Sequence, residues 1–260
     1  MVDSNSTEKK PDIHPEITVL YEDDDVLAVD KPPFMVVNRS ETASSSTVQD
    51  WSQDKLHLPH SVTVGDDFVN RAGIVHRLDK DTSGVLLLAK NAQSFAELQR
   101  QFAERLTQKT YLALVHGTLP SPEGDIDLPI GRLIWDRHRF GVVPDGKESR
   151  THYKVREVIN YKEEYKKKKF RDEPLSLVEV SPKTGRTHQI RVHMTHLGHA
   201  IVADELYGGR KRASKDSKWC PRIFLHAHKL TFLHPKTKEE MTVISPLPKD
   251  LDDALKTLKE

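Results

Sequence analysis

Hydrophobic and polar positions along this chain recur in two rhythms, and the rhythm changes at glycine, proline and aspartate. Ile17, Val19 and Tyr21 alternate with polar neighbours, residues 22–25 form a turn, and Val26-Leu27-Ala28-Val29 follows. This pattern predicts a hairpin ended by Lys31-Pro32-Pro33. Val85-Leu86-Leu87-Leu88-Ala89 is an apolar run bounded by turn signals, which reads as a core strand. Behind it Asn91 is placed to cap a helix, with Phe95, Leu98 and Phe102 on one face and Leu106 a turn further on. Residues 109–117, 151–158, 175–180 and 223–230 read as further strands, and Leu251, Leu255 and Leu258 as a short amphipathic helix after Pro248.

The intervening stretches are polar. Residues 38–71 read as a long loop with a short helix near Val48 to Trp51. Residues 124–134 read as turns with a bend at Ile130-Gly131-Arg132, followed by Arg132, Arg137 and Arg139 around Trp135 and Phe140. Residues 184–194 read as a helix or a strand-to-helix junction, and residues 208–219 as a basic loop. The four lysines at 166–169 are either a solvated hairpin tip or an arm that touches phosphates. Many strands and few, irregularly placed helices argue for an α+β fold. No repeat and no clean linker divides the chain, so residues 1–14 are expected as a disordered tail and residues 15–260 as one catalytic domain.

Composition narrows the classes. With 260 residues, 30% of them charged and 36% hydrophobic, the chain can bury a full core and contains no run long enough to span a membrane. The first ten residues lack the apolar stretch of a secretory signal. Cys220 is the only cysteine, which excludes an internal disulfide and fits a cytoplasmic protein. A formal net charge of +1 means that any site for a polyanion must come from uneven distribution of charge.

The densest chemistry lies in Gly73-Ile74-Val75-His76-Arg77-Leu78-Asp79-Lys80-Asp81-Thr82-Ser83-Gly84, which crowds charges against the core strand. Such a position lets a scaffold fix a catalytic carboxylate. Taken alone, it also suits an ordinary turn in which Asp79 or Asp81 bonds its own backbone. The histidines at 188, 193, 196, 199, 226 and 228 lack the spacing of a zinc site, no serine-hydrolase elbow occurs, and no phosphate loop or dinucleotide fingerprint is present. No metal and no nucleotide cofactor is therefore expected.

The stretch from His76 to Gly84 resembles the signature of the RluA-type RNA pseudouridine synthases. Lys109-Thr110-Tyr111-Leu112-Ala113, residues 185–193, Leu225-His226-Ala227 with His234-Pro235, and the stretch from Leu197-Gly198-His199 to Tyr207-Gly208 agree in order and spacing. The likeness covers roughly residues 15–250. It implies a mixed, mainly antiparallel central sheet flanked by helices and loops, and an isomerase that converts uridine to pseudouridine in structured RNA without cofactor or metal. It further implies Asp79 as nucleophile or base, Arg191 as its ion-pair partner, and Tyr111 as the ring that stacks on uracil and serves in removing the C5 proton. Arg77 would help fill the gap left by a flipped base. Arg186, His188 and Lys109 would contact RNA, and His76 would support the loop.

The match has departures: Lys31 to Asn38 differs from the usual pattern, and Ala200 and Ala203 stand where the family often has Pro and Gly. The segment before Ile17 is too short for the S4 domain of many relatives. Ribosomal RNA is the first expectation for the substrate, from residues 130–132 and 147–153, with transfer RNA next, and a monomer is the default. The competing reading is an RNA-binding or assembly protein on the same fold that needs no catalysis.

Overall fold

Asp23 closes the first turn by accepting the backbone N–H groups of Asp25 and Val26, each at 2.8 Å. Strands β1 (Thr18–Glu22) and β2 (Val26–Lys31) therefore pair antiparallel, as the alternation predicts. This computed structural model describes residues 16–39, 46–59, 64–137, 139–160 and 174–259. The tail at 1–14 and the lysines at 166–169 lie outside the described residues.

The order continues with α1 (Val48–Lys55), α2 (Asp67–Asn70), β3 (Ser83–Ala89), α3 (Ala92–Ala103), β4 (Gln108–His116), β5 (Glu123–Asp127), β6 (Ile130–Arg132), β7 (Phe140–Val142), β8 (Arg150–Ile159) and β9 (Leu175–Pro182). Then come α4 (Gln189–His196), α5 (Glu205–Gly208), α6 (Arg210–Asp216), β10 (Leu225–Leu233), β11 (Glu240–Ile244) and α7 (Lys249–Thr257). Among the described residues one sheet runs β1-β2-β3-β10-β4-β9-β8-β5, with β11 added to β10. Only β3 and β10 pair in parallel; every other neighbouring pair is antiparallel. The fold is α+β with a mixed, mainly antiparallel sheet.

The apolar runs follow from burial on both faces. Leu27, Val29, Leu86 and Leu88 join one core cluster with Val48 of α1, while the alternate residues Val26, Ala28, Val85 and Leu87 join another with Phe95 and Leu98 of α3. Successive strand residues point to opposite faces, so the stretches covered on both sides, Val26 to Val29 and Val85 to Ala89, are apolar throughout. A third cluster packs Ile190 and Met194 of α4 and Leu251 and Ala254 of α7 against β4, β9 and β10.

Four sequence expectations need correction. Residues 208–219 are not a loop: α6 turns there, with Ala213 and Asp216 buried. The helix of Phe95 and Leu98 stops at Ala103, Arg105 turns left-handed (φ 62°), and Leu106 is exposed. The bend at 130–132 is the first strand of a separate β6–β7 hairpin. The loop at 38–71 holds a longer α1, whose N-cap Thr47 makes a full capping box with Asp50, as well as α2.

Candidate active site

Two glycines shape the loop that carries Asp79. Gly73 (φ 72°) lies so close to β3 that a Cβ would sit 2.2 Å from the carbonyl oxygen of Ala89. Gly84 (φ 116°) approaches β10 equally closely, with a Cβ placed 2.3 Å from Ala227 O. Only glycine tolerates both the angle and the contact. Between them the Thr82 N–H closes a turn onto Asp79 O at 3.1 Å.

The loop is also held from beneath by a lysine. Lys31 is fully buried, and its Nζ donates to Pro32 O (2.7 Å), Met35 O (2.9 Å) and Lys80 O (3.2 Å). Burial pushes its ammonium down to about 7, against the pull of Asp81 and Asp79. Three carbonyls use all three donors, which is how a buried ammonium is accommodated.

Asp79 is partly exposed, and Arg191 of α4 faces it with Nη1 3.9 Å from Oδ2. That distance gives attraction but no hydrogen bond. The ion pair implied by the family resemblance is present, yet it is the looser of two. Arg191 Nε and Nη2 donate to Asp204 Oδ2 and Oδ1, both at 2.8 Å, and the Asp204 side chain has no exposed surface. Tyr207 lies against the guanidinium, its ring centre 5.0 Å from the central carbon. Its hydroxyl accepts the Phe140 N–H (3.1 Å) and pairs with His188 Nδ1 (2.9 Å). Burial lowers the pKa of His188, against the pull of Asp79.

His188 occupies a left-handed corner (φ 54°) ahead of α4. Gln189 fixes that corner: Oε1 accepts Thr184 Oγ1–H and the Arg186 N–H, and Nε2 donates to Arg150 O and Thr151 Oγ1. The polar density read in residues 184–194 is therefore partly structural. Arg186 itself donates from Nε to Glu148 O at 3.1 Å.

A cavity of about 680 Å³ opens over Asp79 and brings together all eight residues singled out from the sequence: His76, Arg77, Asp79, Lys109, Tyr111, Arg186, His188 and Arg191. Tyr111 comes from β4, opposite Val180. Burial, and next the charge of Asp79, raise its phenol well above the usual range, so it stays protonated at neutral pH. Lys109 is lowered to about 8, first by burial and then by Arg105, so two cations share that wall. Arg77 is exposed at the mouth. His76 has a structural place, accepting the Leu87 N–H at Nε2 (2.9 Å) and stacking on Phe102 at 4.4 Å. Burial pushes its imidazole down to about 3, leaving it neutral.

Asp204, Tyr207 and Lys31 were not singled out for the site. Asp204 and Tyr207 lie in the stretch from Leu197 to Gly208, where an aspartate three residues before a tyrosine was the available signal. The other histidines go to separate duties: His193 to Thr151 and Leu128, His199 to His116 O, and His226 to Ser83 and Ser245. Asp23, Asp25 and His234 cluster at the β1–β2 turn, which their hydrogen bonds tie to the start of α3 and to the turn after β10.

Comparison with known proteins gives the family. Residues 25–196 match the family model described as RNA pseudouridylate synthase. The chain is 37% identical over 246 residues to the uncharacterized RNA pseudouridine synthase YlyB of Bacillus subtilis, covering 94% of this chain and 74% of that one. It is 38% identical over 255 residues to the ribosomal large subunit pseudouridine synthase D of Xanthomonas campestris, covering 94% and 70%. Among solved structures, human RNA pseudouridylate synthase domain containing 1 superposes with a TM-score of 0.69 at 27% identity, over 93% of this chain and 90% of that one. With the family model spanning most of the chain and relatives aligned along nearly all of it, the chain belongs to the RNA pseudouridylate synthase family and is an isomerase.

Proposed function

We propose that the enzyme isomerises one or more uridines in ribosomal RNA, with Asp79 as the group on which the chemistry depends. The observation that carries this reading is the setting of Asp79. A partly exposed carboxylate borders a cavity of about 680 Å³, faces Arg191 Nη1 at 3.9 Å, and shares the space with the phenol of Tyr111. Because no hydrogen bond ties Asp79 to Arg191, the carboxylate keeps its lone pairs for a substrate while the cation offsets its desolvation.

A side chain inside a cavity does not reach a base still stacked in a helix. The target uridine is therefore extruded, at a cost of a few kcal/mol, and Tyr111 offers the ring against which it stacks. Arg77, exposed at the mouth, is suited to occupy the vacated place in the stack. Lys109, Arg105 and Arg186 line the same cavity and supply positive charge for the flanking phosphates. The phenol of Tyr111 is protonated, so it can take part in C5 deprotonation only if its own proton moves on. Ribosomal RNA is favoured over transfer RNA because curated relatives at 38% identity are named ribosomal large subunit enzymes.

The test is pseudouridine mapping of total RNA by carbodiimide adduct and reverse-transcription stops, comparing cells with the wild-type gene and cells with Asp79→Asn. Stops lost from ribosomal RNA in the variant support the reading. Stops lost only from transfer RNA would move the substrate. An unchanged pattern, with the protein expressed, would overturn the role of Asp79 and favour a non-catalytic RNA-binding protein.

A further inference from the structure

We infer that Phe34 is a platform for the nucleotide that adjoins the target uridine: its ring stacks on that neighbour's base in a second cavity beside Asp79. The inference rests on the RNA reading above and extends it to a second nucleotide. This cavity, of about 780 Å³, is bordered by Asp79, Lys80 and Asp81, and Phe34 forms part of its wall. Asp79, His188 and Arg191 line both cavities. An extruded uridine stays joined to its neighbours through phosphodiester links, so an adjoining nucleotide is held close to the residues that the two spaces share.

Phe34 is costly where it stands. Its backbone is left-handed (φ 66°), a region that a Cβ penalises and that a bulky side chain seldom adopts. Among the described residues it is the one large apolar side chain with such an angle. Pro33 and Phe34 make the turn after β2, and a turn with proline first and a positive φ second normally takes glycine or asparagine at that second place. The ring adds nothing to the core: it is 54% exposed and joins no core cluster among the described residues. Of the exposed large hydrophobic side chains described, Phe34 alone lines either cavity. Lys31 Nζ holds the carbonyls on both sides of it, Pro32 O and Met35 O, and ties them to Lys80 O of the Asp79 loop. Backbone strain that the surroundings hold in place beside a reacting group points to a use.

Charge separates the two cavities. Six Lys and Arg side chains and one Asp line the first, whereas five Lys and Arg meet five Asp and Glu in the second. The first suits phosphates. The second is balanced and attracts no polyanion by charge, but an aromatic face stacks on any base.

Total RNA from cells lacking the gene carries the unmodified target, whichever RNA holds it, and serves as substrate for the purified enzyme. Conversion is read as carbodiimide stops over a range of RNA and salt concentrations, which gives kcat, the half-saturating RNA concentration and its salt slope. Phe34→Gly and Phe34→Asn remove the ring and suit the left-handed angle, while Phe34→Trp keeps an aromatic face. Losing one stacked base costs about 5- to 150-fold in affinity. Both variants without a ring are expected to raise the half-saturating concentration about 10-fold, with kcat within about threefold and the salt slope unchanged. Their urea midpoints should not fall, and Phe34→Trp should stay within about threefold of wild type throughout.

An unchanged half-saturating concentration in both ringless variants would overturn the proposal, and so would a shallower salt slope, which belongs to a phosphate contact. Clearly lowered urea midpoints in both would make the ring a packing element instead. A wild-type dimer that dissociates in the variants at unchanged RNA affinity would give the ring to a second copy of the chain, again overturning it. If one variant does not fold, the other decides. Asp79→Asn is run alongside: conversion there defeats the Asp79 reading and leaves the Phe34 comparison standing, whereas an inactive Asp79→Asn beside unaffected Phe34 variants defeats the platform alone.

Discussion

Two buried arginines in this molecule each grip an aspartate with two nitrogens, and their surroundings give them different work. Arg191 holds Asp204, which is wholly buried, and turns its remaining nitrogen toward Asp79 across a cavity. Arg222 holds Asp250 of α7 through Nε (2.6 Å) and Nη2 (3.2 Å), and Nη2 also donates to Ser83 Oγ at 3.0 Å. Ser83 in turn meets His226 Nδ1 at 3.0 Å, and His226 Nε2 reaches Ser245 O at 3.1 Å. The second chain of contacts joins α7 to β3 and β10 and ends in backbone. The first ends at a carboxylate that no hydrogen bond immobilises. A bidentate pair is thus a fixture in both places, but the leftover Nη1 of Arg191 faces Asp79, whereas that of Arg222 is buried without a hydrogen-bond partner among the described residues.

The largest effect should come from Arg191→Met. It strands Asp204 without its two strongest donors in a place that water does not reach, and breaking such a pair costs about 3–5 kcal/mol. It also removes the cation beside Asp79, so turnover per folded molecule should fall about 10²–10³-fold. Urea unfolding and single-turnover assays should both register the change. Full activity in the folded fraction would sever Arg191 from the chemistry.

Arg222→Met should separate the two regions. The Asp250 side chain is 36% exposed and can be rehydrated, so the expected loss is smaller, about 1–3 kcal/mol. Turnover per folded molecule should stay within about twofold of wild type, a difference of about 0.4 kcal/mol in barrier. If turnover collapsed while stability held, the two arginines would not differ in the way their surroundings imply.

The sequence made one of these regions legible and left the other silent. Asp79, Arg77 and His76 stand side by side, and Arg191 falls in a dense polar segment beside a glycine turn, so local pattern and family resemblance both reach them. Asp204 is 13 residues from Arg191, and Asp250 is 28 from Arg222. Those pairs exist because the fold brings separate segments together, and no local spacing encodes them. Helix α6 escaped for a related reason. Gly208-Gly209 and the basic run after it read as a loop, whereas its helix is held by Asp216, whose partner His116 lies 100 residues earlier. The two-faced burial of β2 and β3 was readable because it leaves unbroken apolar runs. Strand β11 was not, since its place is fixed by pairing with β10.

Acid should test the structural chain in its own terms. Burial pushes His226 down to about 4 from an ordinary value of 6.5. Below about pH 6.5 the unfolded chain takes up a proton that the folded protein refuses until about pH 4. Stability therefore falls through that window as pH drops, by up to about 1.4 kcal/mol per pH unit for this one proton. His76, pushed down to about 3, contributes with the same sign on the active-site side. Urea titrations at pH 7, 6 and 5 should show His226→Gln losing stability less steeply than wild type, by close to one proton. Parallel slopes would mean that His226 is not held neutral.

The smallest expected effect lies at the corner that carries Asp204. Ala203 adopts φ 58°, in the left-handed region that costs a residue with a Cβ about 1–2 kcal/mol. Glycine removes that cost but adds freedom to the unfolded chain, which offsets about 0.5–1 kcal/mol. Ala203→Gly should therefore stabilise the protein slightly, by about 1 kcal/mol or less. No comparable residue flanks Arg222: its neighbours Pro221 and Ile223 are not among the positive-φ positions. The gain, read as a shift of the urea midpoint at unchanged slope, would locate strain on the side of the molecule that orients Arg191. A clear loss would show that the Ala203 methyl contributes more by packing against the core than its backbone angle costs.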